Sequence, residues 1–212
     1  MVSFLDNIRT PKSNLTSSKK ILNSSIIFIL GASLGIFSKW LDNLSINDNI
    51  LWQHILANLN LGNIFSSFGV WILIAVSISI YSSSPLRSSV NIFLFFLSMC
   101  ISYHIYTIVF AGFNPISYML IWYTITLISP FMAFICWYAK GNGAISFIIK
   151  VSIITVIILC SFSIGMWYFD FISIIDTIFF ITTLVILYDT PKNLIYSLIC
   201  SIILAYFIRF FI

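Results

Sequence analysis

Residues 144–188 read AISFIIKVSIITVIILCSFSIGMWYFDFISIIDTIFFITTLVILY, a run of 45 residues with only three charged side chains. A helix needs roughly 20 mostly apolar residues to cross a hydrocarbon core of about 30 Å. The run is therefore twice as long as one span requires, and it must fold back on itself. The Ser163-Ile164-Gly165 sequence near its centre is the predicted point of reversal. This stretch predicts two membrane helices joined by a tight turn.

The composition of the whole chain also indicates a membrane environment. The 212 residues are 60% hydrophobic and 8% charged, with a mean hydropathy of +1.09, whereas typical soluble domains are about 25% charged. Ten Lys or Arg and six acidic residues are too few to build a water-soluble surface. These values argue against a soluble enzyme, a nucleic-acid-binding protein, a disordered linker and a secreted disulfide scaffold.

Seven stretches are long and apolar enough to span the bilayer. They are residues 21–41, 61–81, 89–113, 116–138, 144–165, 168–188 and 194–212. Several of them are separated by turn or helix-stop signals, namely Ser84-Pro85, Asn114-Pro115, Gly141-Asn142-Gly143 and Thr190-Pro191. The short alternating segments of a membrane β-barrel do not appear. We predict an all-α membrane protein, a bundle of about seven transmembrane helices.

The basic residues predict the orientation of these spans. Seven lie before the first span or in the connections after the second, fourth and sixth: Arg9, Lys12, Lys19, Lys20, Arg87, Lys140 and Lys192. The opposite side has Lys39 and Arg209. Because cytoplasmic loops carry the excess of Lys and Arg, we predict a cytoplasmic N-terminus and an outer C-terminus.

Two segments outside the spans have predicted roles. Residues 1–20 are expected to form a flexible basic cytoplasmic tail before an uncleaved signal anchor, and residues 21–212 a single transmembrane bundle. Between the first and second spans, apolar residues recur at helical spacing at Trp52, Ile55, Leu56 and Leu59. This pattern predicts an amphipathic helix lying in the membrane interface, or alternatively a lid over the outer mouth of the bundle.

The first span has a small-residue face formed by Gly31, Gly35 and Ser38. Small residues at this spacing let another helix approach closely. The face predicts packing against a neighbouring span of the same chain, or a homo-oligomer or partner-protein contact. Lys39 and Asp42 follow at its outer end, where they serve either as an interfacial anchor with Trp40 or as the charged rim of an outward-facing pocket.

Lys150 and Asp176 each lie well inside a predicted span, where an ionised side chain costs at least ~2.5 kcal/mol. Their midpoint in the sequence is residue 163, so the two helices of the folded-back run could bring them level. One reading is a buried pair that binds a coupling proton or cation. The other is that Lys150 extends towards the cytoplasm while Asp176 bonds to nearby hydroxyl groups.

Other polar or aromatic residues within the spans are weaker candidates. Cys100 and His104 lie one helical turn apart and suggest a thiol–imidazole or metal site, although a histidine bonded to a neighbouring hydroxyl is the simpler reading. Trp71 could line an aromatic pocket with the aromatic residues that precede Pro130 in the fourth span. Pro130 itself is expected to kink that span. We expect no metal site and no cofactor.

Motifs for catalysis are missing from the sequence. It contains no H-E-x-x-H, no G-x-S-x-G and no phosphate-binding loop. We therefore expect that the protein is not an enzyme, and that any ATP-driven role would need a partner.

The run Leu34–Asp42, together with Gly69-Val70-Trp71 and Ser84-Pro85, resembles a family of small bacterial multi-pass integral membrane proteins of unknown function. The resemblance covers most of residues 25–192 and implies location in the bacterial cytoplasmic membrane, but no activity. Size and span count are also similar to those of the substrate-binding membrane subunits of vitamin transporters, which pair with separate ATPase modules.

Two functional hypotheses follow. The first is a small-solute transporter or transporter subunit, with a site among Lys39, Asp42, Trp71, His104, Lys150 and Asp176. The second is a non-catalytic accessory, immunity or sensing protein that acts through helix–helix contacts, with the Gly31/Gly35 face as its working surface.

Overall fold

Helices account for most of the computed structural model, which describes residues 2–11, 16–44, 51–58, 61–165 and 167–211. The α-helices are α1 (Val2–Ile8), α2 (Ser17–Asp42), α3 (Leu51–Asn58), α4 (Leu61–Ser66), α5 (Phe68–Tyr81), α6 (Pro85–Tyr106), α7 (Ile116–Trp137), α8 (Gly143–Ser161), α9 (Ile174–Leu187) and α10 (Pro191–Phe211). A π-helix, Thr107–Ala111, extends α6, and a 3-10 helix, Tyr138–Lys140, extends α7. The predicted all-α class is confirmed.

Five helical segments of the described chain are long and apolar enough to cross a membrane. They are Ser17–Asp42, Pro85–Ala111, Ile116–Lys140, Gly143–Ser161 and Pro191–Phe211. The other two predicted spans contain shorter helices, α5 and α9, of 14 residues each, or about 21 Å. The helix predicted for residues 61–81 is interrupted at Ser67, and residues 168–173 lie outside α9.

The predicted reversal near residue 163 is a β-hairpin rather than a turn between two helices. Strand β1 (Phe162–Ile164) pairs antiparallel with β2 (Phe169–Phe171), with Phe162 opposite Phe171. Ser173 then caps α9, since its Oγ accepts a hydrogen bond from the backbone N–H of Asp176 at 3.0 Å. The strands use the residues that the sequence pattern had assigned to the ends of two helices.

The chain divides into two compact units. Unit 1 comprises Met1–Pro11, Ser67–Tyr81 and Ile135–Ile212, and unit 2 comprises Lys12–Ser66 and Ser82–Phe134. Each unit therefore brings together segments that are distant in the sequence.

In unit 1, helices α8 and α10 run parallel. Lys150, two turns into α8, contacts Asp189, which precedes α10. At the other end, Arg209 Nε donates to the Ile164 carbonyl oxygen at 3.3 Å. Between these points the Ser201 hydroxyl donates to the Val151 carbonyl oxygen at 3.0 Å. The unit's core is apolar and includes Val76, Ile80, Ile154, Ile158 and Leu187.

The segment predicted as a flexible tail contributes to unit 1. Its helix α1 is followed by Arg9, whose guanidinium lies 4.1 Å from the centre of the Trp137 ring. Arg9 also donates to the carbonyl oxygens of Trp137 and Ile80, the latter at 2.9 Å. Ile8 is buried, and its carbonyl oxygen accepts from the Asn142 N–H at 2.7 Å. At least residues 8 and 9 are therefore anchored, while Lys12 lies outside the described residues.

In unit 2, helices α2 and α6 also run parallel, and the predicted small-residue face lies between them. A Cβ atom built on Gly31 would overlap the Phe95 carbonyl oxygen, and one built on Gly35 would overlap the Met99 carbonyl oxygen. Ser38 is buried as well. The Gly31/Gly35 face is therefore covered by α6 of the same chain, which is the first of the predicted alternatives.

Helix α7 packs antiparallel to α6 and contains Pro130 without being interrupted. Proline removes the N–H that would bond to the carbonyl four residues earlier, here that of Thr126. The Ser129 hydroxyl donates to this carbonyl oxygen at 2.8 Å and so replaces the missing bond. The Pro130 carbonyl oxygen accepts from the Ser89 hydroxyl of α6, also at 2.8 Å.

Candidate functional site

A cavity of about 730 Å³ lies within unit 2. It is enclosed by the end of α2, by α3 and α4, and by the region where α6 passes into the π-helix. Its lining residues are Lys39, Leu41, Asp42, Leu44, Leu56, Leu61, Gly62, Asn63, Ser66, Tyr103, Thr107, Phe113, Pro115 and Tyr118. The cavity has the volume of a small-molecule site and, like such sites, combines apolar walls with a few polar groups.

The Lys39 side chain lines this cavity and is largely buried. The residue is only 7% exposed, and its Nζ lies 5.4 Å from the centre of the Tyr103 ring and 5.5 Å from that of Phe113. Aromatic faces attract a cation at these distances. The nearest described carboxylate oxygen, Asp42 Oδ2, lies 3.7 Å away, which is longer than a hydrogen bond. The ammonium group therefore keeps donors that a solute can use.

Asp42 has its own partners in the same cavity. Its Oδ2 accepts a hydrogen bond from the Tyr103 hydroxyl at 2.9 Å, and its Oδ1 accepts one from the Ser66 hydroxyl at 3.4 Å. These contacts hold the carboxylate in an ion pair with Lys39 whose distance of 3.7 Å is longer than a hydrogen bond. Of the two readings of Lys39 and Asp42, the geometry fits the charged rim of a pocket.

Several other members of this site gave no sequence signal. Tyr103 and Thr107 lie one helical turn apart on the same face, just before the π-helix and at its first residue, and the Thr107 hydroxyl donates to the Tyr103 carbonyl oxygen at 2.8 Å. The π-helix ends at Gly112, which has a positive φ of 73° that favours glycine. The Gly112 to Pro115 sequence was visible as a turn, but the π-helix before it was not.

The predicted amphipathic segment contributes to the cavity through α3. Leu56 lines the cavity, whereas Trp52 is 48% exposed and stacks on Trp40 with ring centres 6.2 Å apart. The position of Leu56 agrees with the lid alternative. The Ile55 side chain and Leu59, which belong to the predicted apolar stripe, lie outside the described residues.

Among the described residues, His104 has hydrogen-bond partners that are neither thiols nor metal-binding side chains. Its Nδ1 lies 2.9 Å from the Tyr123 hydroxyl, and its Nε2 lies 2.8 Å from Asn114 Oδ1. The Cys100 thiol is 3.4 Å from the Thr126 hydroxyl instead. Within the described ranges, no group of three His, Cys, Asp or Glu side chains could hold a metal ion. His104 therefore links α6 to α7 by hydrogen bonds, as in the simpler of the two predicted readings.

Of the two readings of Lys150 and Asp176, the buried pair does not form, since each residue has another partner. Lys150 Nζ donates to Asp189 Oδ2 at 2.6 Å. Asp176 Oδ2 accepts from the Ser173 hydroxyl at 2.7 Å, at the start of α9. The hairpin begins α9 only at residue 174, and the parallel packing of α8 and α10 brings the loop before α10 to Lys150. Asp176 therefore bonds to a hydroxyl group, as in the second reading, whereas the pairing of Lys150 with Asp189 belongs to neither reading.

The Lys150–Asp189 pair borders a smaller cavity of about 310 Å³ in unit 1, together with Asn142, Ser146 and Asn193. Lys150 is 3% exposed and Asp189 about a third exposed. Partial burial raises the pKa of Asp189, but hydrogen bonds from Lys150 and the Thr190 N–H, together with the charge of Lys150, outweigh it. The net pKa of Asp189 is lowered, so the carboxylate stays ionised beside the buried ammonium.

The six predicted site residues do not form one cluster in either unit. Lys39, Asp42 and His104 belong to unit 2, and the first two line its large cavity. Trp71, Lys150 and Asp176 belong to unit 1, where Trp71 is 3% exposed. The Lys39–Asp42 cavity is therefore the best candidate for a solute site.

No family model matches the chain, and no curated protein or solved structure does so either. The resemblance to the bacterial membrane-protein family stays a prediction, and the chemistry of the Lys39–Asp42 cavity carries the functional argument.

Proposed function

We propose that the protein is a multi-pass integral protein of the cell membrane that binds a small solute in the Lys39–Asp42 cavity, as a transporter or as the membrane subunit of one. Its proposed role is to bind this solute and not to catalyse a reaction. The observation that carries the proposal is a cavity of about 730 Å³ lined by a largely buried lysine whose accessible ammonium group keeps free donors. Ionisable side chains within or next to membrane spans commonly mark solute pathways.

The proposed topology has seven crossings, with the N-terminus in the cytoplasm and the C-terminus outside. Two parallel helices of one chain enter the membrane from the same side, so the chain between them must cross an odd number of times. The parallel arrangement of α2 and α6 supports a crossing by α5, and that of α8 and α10 supports a crossing by α9. A helix that is shorter than the hydrocarbon thickness can cross where the bilayer thins locally.

The chemistry of the cavity supports an amphipathic organic anion as the solute. Asp42 already accepts hydrogen bonds from Tyr103 and Ser66, whereas Lys39 retains donor capacity. A negatively charged head would take these donors. Its apolar body would lie against side chains such as Phe113 and Tyr118.

Binding of two matched probes tests this proposal. Benzenesulfonate and benzenesulfonamide have nearly the same shape, but only the sulfonate is anionic at neutral pH. We expect purified protein to bind the sulfonate about tenfold more tightly, because a hydrogen bond to a charged group contributes about 1.5–3 kcal/mol. Lys39→Gln is expected to remove this preference in isothermal titration calorimetry.

Lys140→Gln is the matched control, because Lys140 does not line the cavity, and it should keep the wild-type preference. Equal binding of the two probes by the wild type would exclude an anion site. Uptake of radiolabelled benzenesulfonate by proteoliposomes then separates a transporter, which accumulates the probe, from a binding subunit, which does not.

A further inference from the structure

A second ligand site is suggested by a groove between α2 and α6 in unit 2, at the opposite end of these helices from the Lys39–Asp42 cavity. The groove has a volume of about 450 Å³ and is lined by Lys20, Ile21, Ser24, Ser25, Phe28, Ile29, Arg87, Val90 and Leu94. Both basic residues lie in the first turn of their helix, Lys20 in α2 and Arg87 in α6. The lining residues further along are mainly apolar.

Arg87 is held in place by the protein and still has donors to offer. Its Nη2 donates to the Lys20 carbonyl oxygen at 2.7 Å, to the Ser24 hydroxyl at 2.5 Å and to Asn91 Oδ1 at 3.3 Å. Among the residues that the structure describes, Nη1 and Nε have no acceptor. Each of these two groups can donate a charge-assisted hydrogen bond to an anion such as a phosphate.

The groove combines two cations with no acidic residue in its lining. In the described part of the chain the ion pairs are Lys39–Asp42 and Lys150–Asp189, so neither Lys20 nor Arg87 has a carboxylate partner there. An anionic ligand is therefore favoured at this end, which is the cytoplasmic end in the proposed topology.

The apolar part of the groove indicates which anion fits. From Lys20 to Ile29, α2 rises by about 13 Å, and the side chains of Ile21, Phe28 and Ile29 are exposed along it. A free phosphate would use only the basic end, whereas a phospholipid would place its phosphate at Lys20 and Arg87 and an acyl chain along the apolar residues. Basic pockets between membrane helices on the cytoplasmic side bind anionic lipids in this manner.

We propose that the groove between α2 and α6 binds an anionic phospholipid, with its phosphate between Lys20 and Arg87 and one acyl chain against Phe28, Ile29 and Leu94. A zwitterionic lipid is disfavoured because its own ammonium group meets two cations. A lipid bound there would contact the membrane-facing side of the parallel α2–α6 pair and stabilise the pair. This effect would not depend on a solute in the Lys39–Asp42 cavity.

Competition between lipids with identical acyl chains tests the proposal on the full-length protein. In nanodiscs that contain dioleoyl phosphatidylglycerol and dioleoyl phosphatidylcholine, native mass spectrometry measures which lipid stays bound. We expect about a tenfold preference for phosphatidylglycerol in the wild type. Lys20→Gln should reduce the preference severalfold, because the side chain of Lys20 holds the headgroup whereas only its backbone oxygen contacts Arg87.

Lys19→Gln is the matched control, since Lys19 precedes Lys20 in the same helix, is exposed and does not line the groove. It should leave the preference unchanged. Arg87→Gln is expected to abolish the preference, and circular dichroism checks that this variant folds. Equal retention of both lipids by the wild type, or equal losses in Lys19→Gln and Lys20→Gln, would overturn the proposal. Displacement of the bound lipid by millimolar inorganic phosphate would overturn it in favour of a simple anion site.

Discussion

Gly35→Ala is expected to lower the free energy of unfolding by about 2–3 kcal/mol. The added Cβ atom would overlap the Met99 carbonyl oxygen, which belongs to the backbone of α6 and cannot rotate away. The two parallel helices must therefore separate, and overpacking of this kind costs about 1–3 kcal/mol. Circular dichroism during unfolding in mixed SDS micelles measures the effect.

Gly62→Ala provides the matched control for Gly35→Ala. A Cβ atom at Gly62 has no neighbour within 4 Å, and its φ is not in the left-handed region. The control variant should unfold within about 1 kcal/mol of the wild type. An equal effect of both substitutions would contradict the close contact between α2 and α6.

Asp189→Ala is expected to destabilise the protein by about 3 kcal/mol, and Lys150→Met by less than about 1 kcal/mol. The first change leaves a buried ammonium group without its carboxylate, which is costly. The second leaves a carboxylate that is about a third exposed and that water can reach, with an apolar side chain of similar length in place of Lys150. Unfolding in mixed micelles again gives the free energies.

The double variant should recover most of the stability lost in Asp189→Ala, because it removes the unpaired charge. Lys192→Met is the control, since Lys192 is exposed on the next helix. Acid titration gives a second readout. The pKa of Asp189 is lowered in the folded protein, so the pair's contribution is complete above an ordinary Asp pKa of about 4 and is lost as the pH falls through the lower folded value. Equal effects of the two single substitutions would contradict the pairing.

The ends of several long helices could be predicted from local sequence. Ser84-Pro85 marks a boundary between two predicted spans, and α6 begins there, with the Ser84 hydroxyl accepting from the Arg87 N–H at 3.2 Å. Pro191 begins α10 for the same reason. Hydropathy failed over residues 168–173, since a short apolar run fits a strand as well as a helix. Ser173 followed three residues later by Asp176 resembles the residue pattern that caps a helix N-terminus, and this was the sequence signal for a helix start there.

The candidate site was predictable only where its residues lie close together in the sequence. Lys39 and Asp42 are one turn apart on α2, so their common environment followed from helical spacing. Tyr103 joins them through the parallel packing of α2 and α6, a long-range contact that periodicity does not contain. The same limit explains Lys150, whose partner Asp189 lies 39 residues away, beyond the hairpin and α9.

Cysteine accessibility on the two sides of α9 tests the seven-crossing topology most directly. The four native cysteines, Cys100, Cys136, Cys160 and Cys200, are first replaced by serine, and single cysteines are then introduced as Asp170→Cys and Lys192→Cys. Both positions are exposed, one in β2 before α9 and the other in α10 after it. On intact cells a membrane-impermeant maleimide should label position 170 at once and position 192 only after permeabilisation. Labelling of both positions from outside would show that α9 does not cross and would contradict the account.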